Sequence, residues 1–486
     1  MTPARTRIAP SPTGYVHIGT LRTALYNYFL AKQTGGKYII RIEDTDRERL
    51  VEGSVENLLE TMKFLGLEHD EGPVIDKDGV IEEIGEYGPY TQSARLHIYA
   101  DYVNQLISQG NAYHCFCSKE RLTTMREEQQ ATKQSPKYDR TCLRLSENEV
   151  QAKLSTGENS VVRLKIPEGE TIFEDAVRGL IKINNSEVDD QVILKADGFP
   201  TYHLAVVVDD HLMKITHILR GEEWISSTPK HVLLYKMFGW EAPVFAHLPL
   251  LLNPDKSKLS KRQGDVAVED YLKRGYLPKA LINFVSLLGF NPKGDQELYE
   301  IEEFTELFDL SKVNKSGAVL NMEKLDWMNN HYLKALSRDE LKEVARPFVQ
   351  ANVDNELVLN AIMIERERVS RLDELQEKIG YYLEEPAYDG AILIWKKADA
   401  GDAKAQLEGM LKLLQGVEDD ALSSIEQIET LIKNYIEANG LSNGNVLWPL
   451  RTALSGREKS SSPFELIWAL GKTQSLNRIE KGISLL

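Results

Sequence analysis

Between Thr6 and Gly66 the chain switches back and forth between two hydrophobic periods, and that alternation leaves few folds open. Thr6 to Ala9 reads as a short extended run, closed by the loop Pro10-Ser11-Pro12-Thr13-Gly14. From Ile18, apolar residues at Leu21, Leu25, Tyr28 and Phe29 keep helical spacing until Gly35-Gly36 stops the helix. Lys37 to Ile42 is a buried-type strand running into the acidic cluster Glu43-Asp44-Thr45-Asp46. Thr45 or Asp46 is expected to cap a further helix toward Leu65-Gly66. Strand, helix, strand and helix in that order imply an α/β domain with a parallel, Rossmann-like sheet, whose ligands lie at the carboxyl ends of the strands.

Residues 94–203 are less regular and hold all three cysteines, which suggests an insertion. Sheet signals then return. Leu204 to Val208 is an apolar run ending at Asp209-Asp210, and Ile215 to Leu219 is another ending at Arg220-Gly221. A helix over Lys230 to Phe238 precedes a third run, Phe245 to Leu252. Beyond Val313 long amphipathic segments dominate, and the tail reads as all-helical. The expected boundaries are 1–93 and 204–255 for the two halves of the sheet domain, 94–203 for the insertion, 256–333 for a connecting region and 334–486 for the helical part.

The composition fits this plan. With 486 residues, 42% of them hydrophobic and 27% charged, the chain is that of a soluble multidomain protein. It has no apolar run of membrane-spanning length, the opening MTPARTRIAPSPTG lacks a signal-type stretch, and three cysteines suit a reducing compartment. The cytoplasm is the expected location. A net charge of -16 argues against a nucleic-acid partner, but weakly, because binding follows the local field and not the sum.

Two strings carry the chemistry. Arg7 to Gly14 with His17-Ile18-Gly19-Thr20 places a rigid loop before a helix start, where exposed amides and the helix dipole favour phosphate. Taken alone, His-x-Gly is more often a plain strand–turn–helix corner. Lys258-Leu259-Ser260-Lys261-Arg262, after the third apolar run, supplies cations for a reaction that builds charge on a triphosphate, although a short basic run alone is usually a solvated loop. Rival nucleotide motifs fail: no Gly-x-Gly occurs, and Gly471-Lys472-Thr473 has Leu466 where a P-loop needs glycine, so it reads as a helix end.

Together the strings resemble the HIGH and KMSKS signatures of class I aminoacyl-tRNA synthetases, in the form of the glutamyl and glutaminyl enzymes. Thr20 stands where the signature ends in histidine. The resemblance implies a nucleotide-binding sheet interrupted by an acceptor-end-binding domain, then a stem-contact region, then a helical anticodon-binding domain. It implies ATP with Mg2+ as cosubstrate, glutamate and tRNA(Glu) as partners, a two-step reaction through glutamyl adenylate, and a monomer. It also implies that pyrophosphate exchange needs tRNA, and it leaves open whether tRNA(Gln) is charged too. His17, Thr20, Lys258 and Lys261 are the implied catalytic residues. Pro10, Ser11, Pro12, Thr13, Gly14, Gly19, Leu259, Ser260 and Arg262 join them around ATP.

A glutamate site must hold two carboxylates and an ammonium, and arginine forks are the natural carboxylate receptors. By resemblance, Arg7, Ala9, Ser11, Glu43, Tyr202 and Arg220 line the glutamate pocket, with Val206 where some relatives have asparagine. Glutamine would leave a buried arginine unpaired, which disfavours the amide without editing. The resemblance also implies zinc on three cysteines and a histidine. Cys115, Cys117 and Cys142 are present, but Arg144 takes the histidine's place, and Tyr138 is the candidate fourth ligand. The alternative is three buried small hydrophobes. Arg366 and Arg368 are candidate anticodon readers or plain helix arginines. A glutaminyl enzyme has β-barrels in place of the helical tail. A tRNA-modifying glutamyl transferase lacks the tail, and an inactive paralogue has no need of His17 and Lys261.

Overall fold

The computed structural model describes residues 2–259, 267–292, 294–396 and 398–486. Ser260, Lys261 and Arg262, singled out above, lie outside the described residues. The chain divides into two compact units: Met1–Tyr271 with Leu281–Asn321, and Leu272–Ala280 with Met322–Leu486.

The first unit opens as the alternation requires. β1 (Arg5–Ile8) leads to α1 (Ile18–Gln33) and β2 (Lys37–Ile40), and β1 pairs with β2 in parallel from Arg5↔Lys37 to Ile8↔Ile40. Gly36 makes this return possible. A Cβ there would stand 1.9 Å from the Ala4 carbonyl oxygen, so only glycine lets the chain turn back so closely. α2 (Ser54–Phe64) follows, but neither Thr45 nor Asp46 caps it. Asp46 precedes a single 3₁₀ turn, Arg47–Arg49, and Gly53, with φ of 76°, occupies the N-cap of α2. Asp46 is instead drawn to Arg49 at 2.6 Å.

A short hairpin, β3 (Gly72–Ile75) and β4 (Ile81–Ile84), and α3 (Leu96–Ser108) lead into the irregular stretch. There β5 (Ala112–Cys115), β6 (Val161–Leu164) and β9 (Val192–Leu194) form an antiparallel sheet, with α4 (Lys119–Ala131) and α5 (Glu147–Ser155) between β5 and β6. β7 (Glu170–Asp175) and β8 (Gly179–Asn184), from the same stretch, join a different sheet. It runs β10 (His217–Gly221), β11 (Val244–Leu248), β7, β8, with β10 parallel to β11 and β7 meeting β11 at Asp175↔Phe245. Thr216 donates to the Arg5 carbonyl at 3.0 Å, which brings β10 beside β1.

The run Leu204 to Val208, expected as a strand, lies in a helix, α6 (Tyr202–Leu212). Every residue from Leu204 to Asp210 is buried, so the run has no polar face from which a period can be read, and tertiary burial overrides the β-branched valines. α7 (Thr228–Phe238) follows β10. The run Phe245 to Leu252 is cut at Pro249 into β11 and β12 (Leu251–Leu252), and β12 pairs with β13 (Ala318–Val319).

The second unit is helical, built on a core that includes Leu333, Ile362, Ile379, Leu407, Ile432 and Ile467. Gly471 does mark a helix boundary: its φ of 71° kinks the Pro463–Ser484 segment into two helices. Among the described residues no helix is long and apolar enough to cross a membrane.

Candidate active site

A cleft of about 1080 Å³ opens at the carboxyl ends of β1, β2 and β10. Its wall includes Arg7, Ala9, Pro10, Ser11, Pro12, Thr13, Gly14, His17, Gly19 and Thr20 from the first string and loop. Glu43, Tyr202, Arg220, Lys258 and Leu259 share it. All the expected site residues that are described therefore face one cavity, while Val206 is buried in α6 and does not line it.

The loop between β1 and α1 is pinned from both sides. The Pro10 carbonyl accepts from Glu43 N at 3.1 Å, and the Pro12 carbonyl accepts from Val51 N at 2.9 Å. His17 is the N-cap of α1, its Nδ1 accepting from Gly19 N at 2.9 Å. The neutral ring therefore carries its proton on Nε2. A Cβ on Gly19 would come 3.2 Å from the imidazole, so glycine leaves this helix start open. No acidic residue lies in the first turn of α1 to compete with an anion for its amides. Lys258 enters from the far side, where the chain doubles back: Lys258 bridges to Leu252, and Leu259 N donates to the Leu251 carbonyl at 3.1 Å.

Under the end of the cleft lined by Arg7 and Glu43 lies a buried ionic layer. Asp210 accepts from Arg7 through both oxygens, at 3.1 and 3.0 Å, and from Arg41 at 2.7 Å. Arg41 also donates to Glu43 at 3.0 Å. Asp209 accepts from Arg95 at 2.7 Å and from Gln92 and Tyr99, each at 2.8 Å. Burial works against ionising Asp210, but Arg7 and Arg41 outweigh it and hold the carboxyl below its usual range. Burial pushes the Glu43 carboxyl up, and Arg41 and Arg7 draw it back only part of the way. Three arginines thus meet three carboxylates at this end.

Arg220 is different: its partners are His247, Tyr202, His231 and Thr228. The Tyr202 ring packs on Trp224, with centroids 4.4 Å apart. The sequence reading assigned no role to Arg41, Asp210, His231, His247 or Trp224. A signal existed for His247, a histidine inside an otherwise apolar buried strand, and for Arg41, which opens the acidic string.

A second cluster lies in the β5 region. The sulfurs of Cys115, Cys117 and Cys142 all lie within 4.8 Å of one another, with Cys117 and Cys142 3.6 Å apart. The Tyr138 hydroxyl stands 3.4 Å from Cys115 Sγ and 3.3 Å from Cys117 Sγ, while Arg144 is exposed. Tetrahedral zinc with bonds of about 2.3 Å to sulfur spaces its sulfurs roughly 3.8 Å apart, so three thiols and a phenol at these distances suit it. In the second unit, Arg366 donates to the Leu336 carbonyl at 2.8 Å, and Arg368 is tied to both oxygens of Glu465 at 2.8 Å.

Comparison with known proteins adds an independent line. The family model "tRNA synthetases class I (E and Q), catalytic domain" matches residues 3–327, and "Anticodon binding domain" matches residues 340–483. A glutamate–tRNA ligase of Clostridioides difficile (strain 630) is 46% identical over 490 residues, covering 98% of each chain. One from Chloroherpeton thalassium (strain ATCC 35110 / GB-78) is 46% identical over 507 residues, covering 99% of this chain and 98% of its own. The crystal structure of a glutamate tRNA ligase from Elizabethkingia meningosepticum CCUG26117, in complex with its amino acid, superposes with a TM-score of 0.88 at 35% identity over 100% of both chains.

Proposed function

The chain belongs to the glutamate–tRNA ligases of class I, and from that premise we propose how its own residues divide the work. The enzyme joins glutamate to tRNA with ATP in two steps. The glutamate α-carboxylate attacks the α-phosphorus of ATP and releases diphosphate, giving glutamyl adenylate. A ribose hydroxyl at the tRNA 3′ end then attacks the mixed anhydride, and AMP leaves.

Neither step requires a protein base in this reading, because positioning and electrostatic stabilisation lower the barrier to such displacements. The start of α1, with His17 and Thr20, takes the phosphates. Lys258 and Lys261 follow charge onto the leaving diphosphate. Mg2+ accompanies ATP and shares that charge. Arg220 takes the side-chain carboxylate of glutamate, while Arg7 and Glu43 take the charged head. The observation that carries this reading is a single cleft holding a helix start, a lysine from a returning loop and an arginine with no carboxylate partner among the described residues.

Residues 94–203 are proposed to bind the acceptor end, 256–333 the stem and 334–486 the anticodon, the last supported by the family match over 340–483. The cysteine cluster with Tyr138 is proposed to hold structural zinc. The working form is proposed to be a cytoplasmic monomer, as the resemblance to the family implies.

Charging assays on purified tRNA(Glu) and tRNA(Gln), with glutamate and with glutamine, test the function. Glutamate is expected on tRNA(Glu), and the second tRNA reads the breadth of the enzyme. Diphosphate exchange is expected only with tRNA present. No glutamate on either tRNA would end the reading.

A further inference from the structure

Arg220 lies buried at the end of β10, and every hydrogen bond it makes goes to a neutral acceptor. Nε donates to His247 Nε2 at 3.1 Å, Nη1 to Tyr202 Oη and His231 Nδ1, both at 3.2 Å, and Nη2 to Thr228 Oγ1 at 2.8 Å. The Thr228 hydroxyl donates to the Trp224 carbonyl at 2.9 Å, so it turns a lone pair to the guanidinium. No carboxylate pairs with Arg220 among the described residues, whereas Arg7 in the same cleft is paired with Asp210, and Arg41 behind it with Asp210 and Glu43. Keeping a buried cation without a counter-charge is costly, and a fold that does so is prepared for an anion from outside.

The proton positions follow from these contacts. His247 Nδ1 lies 2.6 Å from Asp175 Oδ2. A carboxylate only accepts, so Nδ1 carries the proton and Nε2 turns its lone pair to Arg220. Asp175 is itself fixed, accepting from Val177 N at 3.0 Å and Arg178 N at 2.8 Å. His231 Nδ1 faces a donor, so that ring is protonated on Nε2, which points at His203 Nδ1 across 3.1 Å and sets the third ring in turn. Burial, reinforced by Arg220, holds His231 well below the ordinary histidine value and lowers His247. Burial, with Lys230 and Arg220, pushes His203 down to about 3. All three rings stay neutral at working pH.

Resting on the reading of this cleft as a glutamate site, we propose that His247 and His231 are positioning residues for substrate selection. As neutral, proton-locked acceptors, they orient the Arg220 fork and leave its charge to the side-chain carboxylate of the amino acid. Glutamate supplies the missing anion. Glutamine brings no charge, and its amide donors would face a donor. An acidic side chain at either histidine position would neutralise Arg220 from within and abolish the preference.

The test compares wild type with His247→Leu, His247→Gln and His231→Leu in tRNA charging, with ATP KM and the thermal midpoint measured alongside. Loss of one acceptor is expected to raise the glutamate KM about tenfold or more, with kcat at saturating glutamate and the ATP KM changed less than about threefold. The preference for glutamate over glutamine falls by the same factor. His247→Gln, whose amide oxygen can stand in for Nε2, is expected to restore most of both. A folded leucine variant with unchanged glutamate KM and preference overturns the proposal, and so does a loss spread equally over kcat and both KM values. Should His247→Leu not fold, His231→Leu decides from a different element. A wild type that charges no glutamate defeats the glutamate reading itself and not the cage.

Discussion

Asp210 holds Arg7 with both of its carboxylate oxygens, at 3.1 and 3.0 Å, across 203 residues of sequence. Asp210 sits in the last turn of α6, where the helix dipole disfavours an acid, and Arg7 is the penultimate residue of β1 at the wall of the cleft. The pair, with Arg41 on the other flank of Asp210, fastens the helix to the sheet beneath the cleft.

Removing one partner of such a pair leaves a charge buried without compensation. Asp210→Asn leaves Arg7 without a carboxylate and takes from Arg41 one of its partners, leaving it Glu43, so a stability loss of about 3–5 kcal/mol is expected. Denaturant unfolding of the variant measures it. A loss under about 1 kcal/mol, the range of a solvated pair, would show that water reaches this layer.

The cysteine cluster makes a separate prediction. Protein purified without chelator is expected to carry one zinc per chain by elemental analysis. Cys142→Ser should lose it, and Tyr138→Phe should bind it more weakly, because the phenol stands at the fourth corner. Zinc far below one equivalent in wild type would return the three thiols to the role of small buried hydrophobes.

What the sequence could disclose follows the strength of its patterns. β1, α1 and β2 were legible because the hydrophobic period changes sharply and Gly35-Gly36 marks the break. Leu204 to Val208 was not, since a run buried on all sides has no period. The resemblance pointed to a common set of cleft residues, and those that are described do line one cleft. The partners of those residues were invisible. His247 finds Asp175 across 72 residues, and Arg220 finds His247 across 27. No local signal announces such pairings, because they exist only once β7, β10 and β11 lie in one sheet.

The neutral histidines also predict how stability follows pH. Folded, His203 protonates only near 3, and His231 and His247 are likewise lowered, while an unfolded histidine protonates at 6.5. Below 6.5 the unfolded chain binds the extra protons, so stability falls as pH falls, by at most about 1.4 kcal/mol per pH unit per ring. For His203 the loss ends near 3, where the folded ring protonates as well. Denaturant unfolding at about pH 7 and about pH 5 should show this decline, and His203→Phe should flatten it by one ring's share. Equal slopes in variant and wild type would mean that His203 titrates freely in the folded protein.

His17 does two jobs that a single substitution can separate. Its Nδ1 caps α1 at Gly19 N, and its other nitrogen carries the proton proposed for a phosphoryl oxygen. Asparagine is also a good cap, but it is too short to present a donor at the same place. His17→Asn is therefore expected to keep the thermal midpoint near that of wild type while lowering kcat for charging about 100–1000-fold, the cost of losing one preorganised donor. His17→Ala should lose the same activity and, in addition, about 1 kcal/mol of stability from the missing cap. Steady-state charging and thermal unfolding of the two variants separate the roles. If His17→Asn charges tRNA as fast as wild type, the imidazole is only a cap, and the phosphates are held by the amides of α1 and by Lys258 without it.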